Sequence, residues 1–192
     1  MTSSATDKVK FERPPLIETE RLRLRGHRVD DLAASAEMWR DPEVVRFIGG
    51  RAFTREEVWA RMLRYSGMWV MTGRGFWAIE EKVTGRMVGE VGVMDAKRDM
   101  EPAFGDEPEI GWSLIPAAQG KGFASEAVTA ALAWADGHVD QPVQVCIIDP
   151  DNAPSIRLAE KMGFRERLRT TYHGKDTIQF ERPRHGRVSG HG

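Results

Sequence analysis

Gln119-Gly120-Lys121-Gly122-Phe123-Ala124-Ser125-Glu126-Ala127 joins an apolar, strand-like run, Ile110-Gly111-Trp112-Ser113-Leu114-Ile115, to a segment with helical spacing. Two glycines around a lysine let backbone N–H groups converge without interference from Cβ atoms, and the helix that follows aims its positive N-terminal end at the same point. Such a turn either cradles an anion, best a phosphate, or serves as a plain strand-to-helix connection. Two phosphate motifs are excluded. No G-x-x-x-x-G-K-[ST] is present. The dinucleotide fingerprint lacks its third glycine, Ser125 standing there, and lies far from the N-terminus.

Two further stretches narrow the choice. Gln119-x-x-Gly122-x-Ala124 resembles the Q/R-x-x-G-x-G/A pyrophosphate signature of the GNAT superfamily of N-acetyltransferases. Asn152-Ala153-Pro154-Ser155-Ile156-Arg157-Leu158-Ala159-Glu160-Lys161-Met162-Gly163-Phe164 resembles that family's N-x-x-S-x-x-x-x-E-K-x-G-F segment. Leu16 to Arg25 is similar to the opening strand of the ribosomal-protein N-terminal (RimJ/RimL-like) branch. The resemblance runs from about Leu16 to about Pro183, three motifs in the family's order. It implies a mixed α/β fold: a V-shaped, mostly antiparallel sheet of about seven strands with about four helices. The splay would fall between Glu109–Ile115 and Val143–Ile148, exposing backbone groups that a pantetheine arm pairs with as an added strand would.

Composition agrees with a globular chain. The chain has 192 residues, 41% hydrophobic and 30% charged, with a net charge of −1. That size suits one domain, expected over 14–183, between a flexible leader (1–13) and a disordered tail (184–192). The near-zero charge supplies no bulk field for nucleic acid or an anionic membrane. No run reaches the ~18 apolar residues of a membrane span, and the polar first residues do not read as a secretory signal, so a cytoplasmic location is expected. Cys146, the single cysteine, sits in an apolar run and reads as a reduced core thiol. The five histidines form no ligand-spaced pair, so no metal is expected.

Local signals place the elements. Leu22 and Leu24 alternate with arginines as in a half-buried strand. Asp30 is suited to cap a helix bearing Leu32, Ala36 and Trp39, and Asp41-Pro42 ends it or begins a short turn. Thr54 and Glu57 form a capping box ahead of a Val58, Met62, Tyr65, Trp69 stripe. Phe76–Glu81 and Met87–Met94 read as a hairpin, with Gly89 and Gly92 marking a bulge or a close neighbour. A charged loop, 96–108, precedes the strand at Glu109. The helix from Gly122 carries many alanines for tight packing on a sheet, with Gly137 as its expected stop. Asn152 caps a short helix, and strands follow near Arg165–Tyr172 and Thr177–Glu181.

Acetyl transfer to an amine passes through a tetrahedral intermediate and needs a proton acceptor, because a lysine-like ammonium has a pKa near ~10.4 and an α-amine near ~8. A carboxylate working through a water serves. Glu109 heads the choices, since Glu109-Ile110-Gly111-Trp112 resembles the family's E-I-G-Y/W segment; a salt-bridged strand-end carboxylate is the other reading. Glu90, a lone carboxylate within an apolar strand, is second. Asp95 is third. The resemblance implies an oxyanion donor near Leu114 and coenzyme contacts from Leu114, Ile115, Gln119, Gly120, Lys121, Gly122, Phe123, Ala124, Ser125, Asn152, Ser155 and Arg157. The family's tyrosine, four residues before Gly-Phe, is Ala159 here. Ser155 remains as a donor to the thiolate, a pantetheine contact or a hydroxyl bonded to its own helix, and Asn152 as a cap alone or a cap that also meets the pantetheine. Glu101, Asp106 and Glu107 are either attractors of a cationic amine or ordinary loop solvation.

The function implied is an acetyl-CoA-dependent N-acetyltransferase acting on a protein N-terminal α-amine or a small-molecule amine, with a homodimer as the family habit. The alternative is a non-catalytic acyl-CoA-binding sensor.

Overall fold

The computed structural model describes residues 13–184. The leader and tail expected at 1–13 and 184–192 therefore lie outside the described residues, except for Arg13 and Arg184. Arg184 is held in place. Its N–H donates to the Pro142 carbonyl at 2.8 Å and its Nε to the Asp136 carbonyl at 2.9 Å.

The strands are β1 (Ile17–Glu18), β2 (Leu22–Arg25), β3 (Phe76–Glu81), β4 (Met87–Met94), β5 (Glu109–Leu114), β6 (Val143–Ile148), β7 (Arg165–Tyr172) and β8 (Lys175–Pro183). They form one eight-stranded sheet in the order β1-β2-β3-β4-β5-β6-β8-β7. The helices are α1 (Leu32–Met38), α2 (Pro42–Val45), α3 (Arg55–Thr72), α4 (Phe123–His138) and α5 (Ala153–Lys161). The strand beyond the expected seven is the two-residue β1, too short to carry an alternation signal. The extra helix is α2, a single turn capped by Asp41, whose side chain accepts the Glu43 N–H.

The α3 boundaries have local causes, whereas α1 starts without the expected Asp30 cap: Asp30 lies within the 3-10 turn Val29–Asp31, and Asp31 stands at the cap position with no side-chain cap bond. Thr54 and Glu57 close the expected capping box on α3, and Gly73 ends that helix in the left-handed conformation at φ 70°. Thr54→Ala is expected to lower stability by about 1 kcal/mol, read from the urea midpoint; an unchanged midpoint would show that α3 is held by packing alone. Gly137 does not stop α4. The Val139 N–H still reaches the Ala135 carbonyl at 2.9 Å, so the helix runs through Gly137 to His138.

Both readings of the β4 glycines hold. Pairing shifts register between Ile79 and Glu80, opposite Gly89 and Met87, which is a bulge. A Cβ on Gly89 would overlap the Ser113 carbonyl oxygen and stand 2.9 Å from Leu114 Cγ. Ala127, Ala131 and Ala135, all at 0% exposure, let α4 lie close on the sheet beside Val91, Val93 and Trp77. A second cluster joins Trp39 of the α1 end, Val44 and Val45 of α2, and Val58 and Met62 of α3.

All neighbouring strands are antiparallel except β5 and β6, which run parallel and pair only at Glu109↔Val145. The Val145 N–H donates to the Pro108 carbonyl at 3.0 Å, and beyond that point the two strands part. This is the splay expected between Glu109–Ile115 and Val143–Ile148.

Candidate active site

The loop after β5 is braced from a distance. Glu126 accepts from Thr19 Oγ1 at 2.6 Å, from the Arg21 N–H at 2.8 Å and from Arg21 Nε at 2.7 Å. Burial pushes the Glu126 carboxyl up, but these donors outweigh it and hold it below the usual range. Arg21 also donates to the Lys121 carbonyl at 2.8 Å and lies over the Phe123 ring. Gly120 and Gly122 take φ of 71° and 82°, which L side chains rarely adopt. The Gln119 N–H donates to Pro116 and the Glu126 N–H to Gly122, but among the described residues the amides of 120–125, in and after the turn at 119–122, make no short, well-aligned main-chain bond. Unpaired amides at the head of a helix are a fit for the oxygens of a diphosphate.

The splay supplies a second set of main-chain groups that no neighbouring strand pairs. The Ile115 N–H donates to the Val88 carbonyl on the β4 side at 3.0 Å. Direction alternates along a strand, so the N–H and C=O of Leu114 point the other way, into the gap. Gln119 Nε2 donates to that Leu114 carbonyl at 3.2 Å. By the same alternation, Val145 and then Ile147 of β6 face β5, and Ile147 has no β5 partner.

Two cavities meet along this gap. One, of about 420 Å³, is lined by Leu114, Gln119, Gly120, Gly122, Ala124 and Ser125 on one side and by Asn152, Ser155, Arg157 and Lys161 on the other. The other, of about 330 Å³, is lined by Phe47, Arg61, Phe76, Arg98, Glu109, Asp149, Tyr172 and Lys175 among others. Both share Phe47, Ile48, Trp112, Ser113, Asn152 and Ser155. Most of the expected coenzyme contacts are thus brought together. Ile115, Lys121 and Phe123 line neither cavity. Ile115 packs against both core clusters, Phe123 is buried at 6% exposure, and Lys121 is exposed.

The α5 cap serves two surfaces. Asn152 Oδ1 accepts the Ser155 N–H at 3.2 Å while the same residue lines both cavities. The Ser155 hydroxyl has no partner among the described residues, so it does not bond its own helix.

The carboxylates are arranged unequally. Glu109 lines the smaller cavity but is 3% exposed, and Arg98 grips both its oxygens at 2.5 Å. Burial disfavours the charge on Arg98, yet the Glu109 bonds raise its pKa above the ordinary guanidinium value. Glu90, at 1% exposure, lines neither cavity. It stands 3.4 Å from His27 Nε2 and accepts from Trp39 Nε1 at 3.4 Å, while its Oε2 has no partner. Burial pushes the Glu90 carboxyl up, and His27 and Arg61 hold it below the usual range. Asp95 faces Arg74 and Lys97 and lies outside both cavities. Glu101, Asp106 and Glu107 also lie outside, Asp106 near Lys97 and Glu107 near Arg167. Sequence reading missed Asp149, which follows β6, lines the smaller cavity and accepts the Asp151 N–H at 2.9 Å. The signal for it was its place three residues before the Asn152 cap.

Among the described residues no group of three or more His, Cys, Asp or Glu is placed to hold a metal ion, and no helix is long and apolar enough to cross a membrane.

Comparison with known proteins agrees with this geometry. The family model described as an acetyltransferase (GNAT) domain matches residues 21–165. A protein of Bordetella pertussis assigned to the GNAT-family acetyltransferases is 32% identical, covers 88% of this chain and 99% of its own, and superposes with a TM-score of 0.78. An uncharacterized N-acetyltransferase of Bacillus subtilis, YoaA, is 28% identical over 79% of this chain and 84% of its own length. RimL, a ribosomal L7/L12 α-N-protein acetyltransferase solved in complex with coenzyme A, shares the fold at 16% identity and a TM-score of 0.72, covering 88% of this chain and 98% of its own. With the model spanning most of the chain, the protein belongs to the GNAT acetyltransferase family and is an acetyltransferase.

Proposed function

We propose that the protein is an acetyl-CoA-dependent N-acetyltransferase that moves the acetyl group directly to a primary amine. The observation that carries this is the meeting of the two cavities at the parted strands, so that a thioester in one and an amine in the other would share the space beside Ser113, Asn152 and Ser155. Acetyl-CoA supplies the activated acyl group.

The chain's residues divide the remaining work. The amides of 120–125 and the side chain of Arg157 hold phosphate oxygens. Leu114 and Ile147 offer main-chain groups to the pantetheine amides, and the Leu114 N–H stands ready for the oxygen that gains charge. Asn152 adds a side-chain contact, and the Ser155 hydroxyl donates to the departing sulfur. Glu109 takes the amine proton through a water, using the lone pairs that Arg98 leaves open; Glu90 is set behind Trp39 and contributes through the cavity wall. The acceptor is a protein N-terminal α-amine, as the fold shared with RimL suggests, or a small-molecule amine. A cytoplasmic homodimer with no nucleic-acid or membrane partner completes the reading, in keeping with the net charge of −1.

Release of free thiol from acetyl-CoA with a panel of amines tests this. Glu109→Gln is expected to lower kcat about 100-fold with unchanged coenzyme affinity by calorimetry. A slow Asp149→Asn beside an unimpaired Glu109→Gln would transfer the base to Asp149. Absence of both coenzyme binding and thiol release sinks the proposal.

A further inference from the structure

We propose that the acceptor amine carries a carboxylate, as an amino acid does, and that Arg61 binds it. The inference rests on the acetyl-transfer reading and specifies its substrate class.

Arg61 projects from α3 into the smaller cavity, half-buried. Its guanidinium carbon lies 3.9 Å from the centroid of the Trp39 ring, and its Nε donates to the Tyr65 hydroxyl at 2.5 Å. The indole lies against the guanidinium, and the tyrosine uses its inner N–H. The outer N–H groups remain at the cavity wall, and among the described residues no carboxylate lies within 4.0 Å of them. Three other arginines that are buried or half-buried each hold a carboxylate closely: Arg25 binds Asp31 and Glu80, Arg98 binds Glu109, and Arg182 binds Asp136. Arg61 differs from these in lacking a carboxylate while facing an opening. Glu90 does not fill the place. It sits at the edge of the Trp39 indole, engaged by His27 and by Trp39 Nε1. A planar guanidinium that feels Glu90 only at a distance, with no carboxylate in close contact, is suited to two parallel bonds to a carboxylate.

The rest of the cavity fits the same ligand. The charge of Glu109 is cancelled by Arg98, which removes the strongest attraction for a polycation. Lys175 adds a second cation without an ion-pair partner among the described residues. Asp149 lines this cavity three residues before the Asn152 cap, which lines both, and supplies a negative group for the amine. Separate sites for an anion and a cation match a zwitterion, and about 330 Å³ walled by Phe47, Phe76, Trp112 and Tyr172 suits one of amino-acid size.

The test uses matched pairs, an amino acid and its carboxamide, which share amine and side chain. The full chain with acetyl-CoA is expected to prefer the acid roughly 10- to 100-fold in kcat/KM, mainly through KM. Arg61→Gln should bring that ratio close to one while carboxamide turnover and coenzyme affinity persist. Arg61→Lys, which keeps the charge and loses the fork, should fall between. Melting temperatures of both variants guard against lost packing on Trp39. Equal use of acid and carboxamide by the wild type, or a preference that survives Arg61→Gln, overturns the inference while leaving acetyl transfer standing. Calorimetry of the coenzyme-loaded protein separates the opposite case: acid-selective binding lost in Arg61→Gln, without turnover on any amine, supports the carboxylate site and counts against the transfer reading. Neither acid-selective binding nor acid-selective turnover overturns the carboxylate site.

Discussion

Gly89→Ala is expected to cost about 3 kcal/mol or more, seen as a large fall in the urea midpoint, and to remove most of the coenzyme affinity. The new methyl group would occupy the space of the Ser113 carbonyl oxygen and press on Leu114 Cγ at 2.9 Å and Leu114 Cα at 3.1 Å. Backbone atoms cannot swing aside as a side-chain tip does, so β5 itself must shift. Ser113 and Leu114 are the residues that border the gap between β5 and β6, which is why binding and stability should fall together. Gly67→Ala is the control. Gly67 lies within α3, nothing stands within 4 Å of an added Cβ, and the same chemical change should there stabilise by about 0.5–1 kcal/mol. Equal effects at the two sites would show that the β4–β5 contact is not the constraint.

Arg25→Met is expected to cost about 3–5 kcal/mol at pH 7, with the loss shrinking as the solution is acidified. Arg25 donates from both terminal nitrogens to Asp31 at 2.8 Å and from Nε to Glu80 at 2.6 Å, with all three residues below 9% exposure. Burial pushes the Asp31 carboxyl up, but Arg25 and the Arg28 N–H hold it below its ordinary value; Glu80 is lowered chiefly by Arg25. Both folded-state pKa values are therefore below the unfolded ones. The stabilisation is complete above the unfolded values near ~4 and is lost as pH falls through the folded ones. Removal of Arg25 leaves Asp31 with the Arg28 N–H and Glu80 with Arg23 as remaining partners, two under-compensated buried carboxylates at neutral pH, and acid then relieves the variant by protonating them. Urea titrations at pH 7, 5 and 3 check this. A difference between wild type and variant that stays constant with pH would mean that the arginine contributes packing and not charge.

The parts legible in the sequence were those whose causes lie close along the chain. Thr54 and Glu57 are three positions apart, and the box they form was readable as such. The Gln119–Ala124 turn, the Asn152 cap and the alanine face of α4 are equally local. Gly137 misled because a glycine stops a helix only when its backbone turns left-handed, which neighbouring letters do not reveal. The bracing of the loop by Arg21 and Glu126 joins residues 105 positions apart, and nothing local announces it. Arg98 is similar. It sits in an irregular loop, and only the folded geometry brings it onto Glu109, the carboxylate that the sequence had placed first. Asp149 and Arg61 were passed over because one precedes a cap and the other lies on a helix dense with arginines, where a charged letter ordinarily means solvent.

The single rung between β5 and β6 has a consequence for how a guest is received. Leu114 and Ile147 are central by position, yet their main chains have the bonding capacity of a rim. An extended amide chain entering between them would have only the Gln119 side chain to displace from the Leu114 carbonyl, so the sheet would need no prior melting to admit it.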